Sequence, residues 1–145
     1  MRVLATYWTL PDHRKACLER AREALAAAGH DLRILPFGPH FPPAHPRPSS
    51  HRRFLIALAS LVRESPDVLV VEGWSHALSW LVVLLRAAGG ARVVVVSDST
   101  ALDHDHRRVK EAAKRQFLRG VDAAFAAGSR SRAYLVHLGM DPGRI

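Results

Sequence analysis

The sequence predicts an α/β fold: a doubly wound, mostly parallel sheet flanked by helices. Three observations predict it. Short apolar runs suited to strands alternate with stretches of helical period along all 145 residues. The run Val93-Val94-Val95-Val96 is continuously apolar, as expected of a strand covered on both faces. Alternation of this kind implies parallel pairing through right-handed crossovers, with helices on both faces of the sheet.

Each element follows from its local pattern. Val3 to Leu10 reads as a buried strand. Between Arg14 and Ala28, the residues Leu18, Ala21, Leu25 and Ala28 recur at three- and four-residue spacing, predicting a helix closed by Gly29. Asp31 to Phe37 is a second short strand. Six prolines between Pro36 and Pro48 forbid a helix or an inner strand there and predict an extended loop. Ser50 then caps a helix whose apolar face is Phe54, Leu55, Leu58, Leu61 and Val62. Pro66-Asp67 precede the strand Val68 to Val71, which ends at Glu72-Gly73-Trp74. Ser75 to Ala88 is helical and apolar nearly all round, stopped by Gly89-Gly90. The valine strand, a basic helix from Asp105 to Arg119, a weaker strand from Val121 to Ala127 and a last helix capped by Gly139 complete the order.

Length and composition bound the function. A chain of this length fits one domain and buries roughly 70% of its unfolded surface. Its 48% hydrophobic content excludes disorder. No apolar run approaches the ~20 residues of a membrane helix, and Ala77 to Leu85, broken by Ser79, has the length of a buried helix. That helix buries against the sheet or against a second copy, so a homodimer stays open. Met1-Arg2-Val3-Leu4-Ala5-Thr6 enters a strand pattern directly, so no signal peptide is expected. Cys17 is the only cysteine, which precludes an internal disulfide and permits a cytoplasmic setting. The net charge of +8 favours anionic partners.

In open parallel sheets, ligands bind outside the carboxyl ends of the strands. Those ends carry Thr6, Tyr7 and Trp8, then Glu72, Trp74 and His76, then Ser97 to Thr100, then Gly128, Ser129 and Arg130. Asp98, beside the hydroxyls of Ser97, Ser99 and Thr100, suits orientation of a sugar hydroxyl. It is equally a turn residue, with Ser99 or Asp103 capping the next helix, and the two roles coexist. Glu72 suits a hydroxyl and Trp74 a sugar ring, or else Trp74 is core and Glu72 a solvated strand end. Ser129 opens a helix whose N–H groups attract anions, with Arg130 and Arg132 adding charge, or it is an ordinary N-cap.

The basic helix sets Arg107, Arg108, Lys110, Lys114, Arg115 and Arg119 against the single acid Glu111. It is either solvated surface or a face for acidic lipid, and His51-Arg52-Arg53-Phe54 repeats the pattern. The run Asp103-His104-Asp105-His106 predicts no metal site, because adjacent residues do not converge on one ion at helical geometry. No P-loop, no G-x-G-x-x-G after the first strand, no nucleophile elbow and no RNA-binding signature is present.

From Val93 onward the chain resembles the first domain of family 4 glycosyltransferases of the GT-B fold. The residues that carry the resemblance are Ser97-Asp98-Ser99, Arg107, Glu111-x-x-Lys114, Asp122-Ala123, Gly128-Ser129, Tyr134-Leu135, Leu138-Gly139 and Ile145. The resemblance is looser before Val93, where Tyr7-Trp8-Thr9-Leu10-Pro11 replaces a glycine-rich loop found in many members. It implies a Rossmann-like half of a GT-B enzyme that forms the acceptor-binding side of a cleft. The implied reaction is sugar transfer from a nucleotide-sugar donor, with retention of configuration, to a sugar or lipid-linked acceptor. The donor is then held mainly by a second domain absent from this sequence, and these residues alone are expected to be inactive. No cofactor, no metal and no nucleic acid is expected, the catalytic residue is unassigned, and a cytoplasmic site at the inner membrane face fits a lipid-linked acceptor. The competing reading is a stand-alone flavodoxin-like binding or scaffold module, since a fold does not fix a function.

Overall fold

The computed structural model describes residues 1–7, 12–36, 50–102 and 108–145, with the side chains of 12–15, 36, 50–54, 57, 60 and 86–89 left aside. Trp8, the proline-rich loop from 37 onward, the run Asp103 to His106 and Arg107 lie outside the described residues.

Five strands form one sheet in the order β2-β1-β3-β4-β5, flanked by helices. The strands are β1 (Arg2–Tyr7), β2 (Asp31–Pro36), β3 (Val68–Glu72), β4 (Arg92–Ser97) and β5 (Ala123–Ala126). The helices are α1 (Asp12–Ala27), α2 (Ser50–Glu64), α3 (Ala77–Gly89), α4 (Arg108–Arg119) and α5 (Ser129–His137), followed by a 3-10 turn at Pro142–Arg144. The predicted α/β class holds. Some boundaries shift: β5 covers only Ala123–Ala126 of the stretch from Val121 to Ala127, Ser75 and His76 form a bend before α3, and residues 142–144 form the 3-10 turn ahead of Ile145. The chain divides into two compact units, Met1–Val70 and Val71–Ile145.

In the first unit, β1 and β2 pair in parallel from Arg2 opposite Asp31 to Tyr7 opposite Pro36. Val3, Ala5, Tyr7, Leu18 and Leu32 form the core, and Leu25, Ile34, Val68 and Val70 pack against it. Each large apolar side chain so buried contributes about 1.5–3 kcal/mol. Helix α1 ends as its sequence predicts. Gly29 takes φ +74, and the His30 amide reaches back to the Leu25 carbonyl at 2.8 Å, closing the helix with a left-handed residue. Helix α2 buries less than its pattern suggests. Leu61 is buried and Leu58 half-buried, but Leu55 and Val62 are 60% and 70% exposed. At about 100° per residue, Leu55 and Val62 both lie roughly 100–120° round the helix from Leu61, on the far side of Leu58, and so turn out to solvent.

In the second unit, β4 and β5 pair in parallel from Val94 opposite Ala123 to Ser97 opposite Ala126. Val93, Val95 and Ser97 are buried, whereas Val94 and Val96 are half-buried. Phe117, Val121, Leu135 and Leu138 add to this core. Gly139 takes φ +97, its amide bonds the Val136 carbonyl, and the Met140 amide bonds that of Leu135, which is the expected glycine cap.

One device sets strand register in both units. The Asp67 carboxylate accepts from the Arg2 amide at 2.6 Å while the Asp67 amide donates to the Arg2 carbonyl at 2.9 Å. Asp122 repeats it on Val93, at 2.7 and 2.8 Å. An aspartate just ahead of a strand thereby locks the first or second residue of a neighbouring one.

Gly120, between α4 and β5, allows a close approach to α3. A Cβ there would stand 2.3 Å from Val83 Cγ1, far inside contact distance. Gly120→Ala is therefore expected to cost about 1–3 kcal/mol through overpacking. Urea unfolding measures this, and Val83→Ala in the same chain should recover part of the loss.

Candidate functional site

The carboxyl ends of β3, β4 and β5 lie together along one edge of the second unit. The Gly73 amide donates to the Val96 carbonyl at 3.1 Å, and the Ala127 amide to the Ser97 carbonyl at 3.0 Å. Glu72, the Ser97–Thr100 turn and the start of α5 are thus neighbours along one sheet edge. Gly73 takes φ +58, the left-handed conformation that turns the chain sharply after Glu72.

The predicted residues divide by exposure. Asp98 is exposed, and Glu72, Ser99 and Thr100 are half-buried. Ser97 is 2% exposed, and its Oγ has no hydrogen-bond partner among the described residues. Thr100 Oγ1 accepts from the Leu102 amide at 3.3 Å, so part of this turn is held by its own hydroxyl. Ser129 and Arg130 are exposed at the start of α5. The N-cap is Gly128, in extended conformation and without a side-chain hydrogen bond, so Ser129 is the first helical residue and not the cap. In the first unit, Thr6 is buried and donates its hydroxyl to the Val70 carbonyl at 3.2 Å, a structural role.

Trp74 is half-buried and belongs to an aromatic cluster. Its ring meets Phe117 and Tyr134 edge-on, with centroids 6.4 and 6.3 Å apart. Its carbonyl accepts from Trp80 Nε1 at 2.8 Å, and Trp80 in turn meets Phe117 at 5.1 Å. Such geometry suits the quadrupoles of the rings and fixes the loop after β3. His76, two residues on, is half-buried, and burial lowers its pKa.

Lys114 departs from its predicted place. Arg108, Lys110 and Arg115 are exposed on α4, but Lys114 is 6% exposed and so forms no part of the basic surface. Its Nζ donates to Tyr134 Oη at 2.5 Å and lies 3.4 Å from Glu111 Oε1. Tyr134 Oη donates to the same Glu111 oxygen at 2.7 Å. The ammonium also stands 5.6 Å from the Trp74 ring centroid and 5.0 Å from that of Tyr134. His137 stacks on Tyr134, with its Nε2 3.9 Å from Glu111 Oε2. The missed signal was positional: Glu111, Lys114 and Leu118 share the three- and four-residue spacing of the stripe that buries Phe117.

Among the described residues no helix is long and apolar enough to cross a membrane, and no group of three or more His, Cys, Asp or Glu could hold a metal ion.

A family model described as the Glycosyl transferase 4-like domain matches residues 35–145, most of the chain and all of the second unit. The chain belongs to this family. No curated protein matches the sequence. Among solved structures, the UDP-GlcNAc 2-epimerase of Methanocaldococcus jannaschii aligns with 100% of this glycosyl transferase 4-like chain and 44% of its own, at 18% identity and TM-score 0.63. Staphylococcus aureus MnaA, in a structure with UDP, aligns over 99% of this chain and 43% of its own, at 13% identity and TM-score 0.66. At such identities the likeness establishes the fold, that of an N-terminal GT-B-type domain. The chain spans less than half the length of these proteins.

The buried network in the domain makes two predictions. Burial first, then the hydrogen bond and negative charge of Glu111, raise the Tyr134 pKa far above its ordinary value of 10. The folded state therefore holds the phenolic proton more tightly than the unfolded chain. This contribution is complete below pH ~10 and is lost as pH rises further. In absorbance titration, Tyr134 should resist ionisation until the fold opens, and Tyr134→Phe should flatten the alkaline loss of stability. Glu111→Gln removes the countercharge of a buried ammonium and should cost about 3–5 kcal/mol in urea unfolding.

Proposed function

We propose that this domain forms the acceptor-binding side of a cleft for retaining sugar transfer from a nucleotide-sugar donor. The observation that carries the reading is the family match across 35–145, which includes all three strand ends of the second unit. Asp98 and Glu72 supply acceptor oxygens for sugar hydroxyls at neighbouring strand ends. The unacidified first turn of α5, with Arg130, offers N–H groups and positive charge to a phosphate oxygen. Trp74 holds the Glu72 loop through its packing and presents what remains of its half-buried ring. Sugar transfer needs both reactants held at near-attack distance and the leaving diphosphate neutralised. These tasks are shared with a donor-binding domain, so the 145 residues alone are expected to bind without turnover.

Arg108 and Lys110, beside exposed Val109, support peripheral contact with acidic lipid, which suits a lipid-linked acceptor. One of the two structurally similar proteins is a UDP-GlcNAc 2-epimerase at 18% identity and the other holds UDP, so epimerisation of a UDP-sugar is a second reading.

Saturation-transfer NMR with UDP-sugars and free sugars tests the proposal. Sugar protons should receive saturation from the native chain, and Asp98→Asn with Glu72→Gln should weaken binding about tenfold, the worth of one or two hydrogen bonds. Unchanged contact in that double variant would sink the assignment of these residues. Epimerised UDP-sugar in the absence of any acceptor would favour the second reading.

A further inference from the structure

The opposite end of the second unit carries a basic concavity that the sugar-transfer reading does not use. Arg115 and Arg119 are one helical turn apart on α4. Arg144, on the 3-10 turn after α5, faces the same cavity of about 390 Å³, which Leu118, Leu138 and Met140 help to line. Those three apolar residues are each 5% exposed or less, so the cavity is rigidly floored while its rim is cationic.

The three guanidinium groups differ in how they are held. Arg144 is anchored: Nε donates to the Asp122 carbonyl at 2.6 Å and Nη2 to that of Val121. A guanidinium has five N–H donors, and the remainder on Arg144 have no partner among the described residues. Arg119 donates from Nη1 to Gln116 Oε1 at 3.1 Å, a neutral acceptor. No ion pair involves Arg115, Arg119 or Arg144 among the described residues. The nearby carboxylates are engaged elsewhere, Asp122 on the Val93 amide and Asp141 on the Gly143 amide.

Three like charges around one concavity repel, and among the described residues none of them is held in an ion pair with a carboxylate. Arginine forks match phosphate oxygens bidentately, and a preset Arg144 lowers the ordering cost of capturing one. We propose that Arg115, Arg119 and Arg144 form a binding site for a phosphate or diphosphate group, separate from the strand-end site. The separation is visible in the ladder, because Val121 and Asp122 precede β5 whereas Ala127 and Ser129 follow it. The ligand is either a soluble phosphate compound or the headgroup of an anionic lipid.

Isothermal titration of the 145-residue chain with inorganic pyrophosphate, and in parallel with monomeric dibutanoyl phosphatidate, tests the site. Saturable binding is expected, weakened about tenfold or more in Arg115→Gln/Arg119→Gln, as loss of charge-assisted hydrogen bonds requires. Both positions are exposed, so the fold should persist, as circular dichroism checks. Arg20→Gln/Arg22→Gln, at exposed positions on α1, should leave affinity unchanged. Tighter binding of pyrophosphate assigns a soluble source and tighter phosphatidate a headgroup. Absence of saturable binding to both probes, or equal weakening by both double variants, would overturn the site.

Discussion

A buried ammonium constrains the second unit more than any other single group. Lys114 is closed off from water, and an unpaired charge there would cost several kcal/mol. The chain meets that demand with Tyr134 from α5, Glu111 from its own helix and the Trp74 ring from the loop after β3. Each partner comes from a different segment. Satisfying one charge therefore fixes α4, α5 and the β3 loop against one another, and with them the strand-end edge.

The strand-end residues depend on that arrangement. Trp74 follows Glu72 by two residues, so the aromatic cluster that orients Trp74 also sets where the Glu72 loop begins. The ladder positions Ser97 and Ala127 beside one another, and Asp122 keeps that ladder in register from its other end. Rigid elements thus hold exposed polar groups, as precise binding requires. Membership of the Glycosyl transferase 4-like family accords with this architecture.

Much of the fold was legible in the sequence. Gly29 and Gly139 ended their helices where the apolar periodicity stopped, because a left-handed residue closes orphan carbonyls at little steric cost. The valine run became β4 because β-branched side chains suit a covered, pleated strand. The candidate site was less legible. Its residues could be collected from strand ends, since parallel pairing brings those ends together, but their exposure could not. Leu55 and Val62 looked like core and are exposed, since a helical pattern gives the width of a stripe only roughly.

Lys114 marks the division most clearly. Local sequence determined that residues 108–119 form a helix and that Glu111 and Lys114 lie one turn apart, because these depend on neighbours along the chain. Whether that pair faces water or the interior depends on Tyr134, twenty positions away, and on Trp74, forty away in the other direction. Charge type alone favours the surface; only tertiary packing supplies the hydrogen bonds and ring faces that make burial tolerable. The sequence by itself determined the order of strands and helices, and the tertiary structure decided which charges are solvated and which are structural.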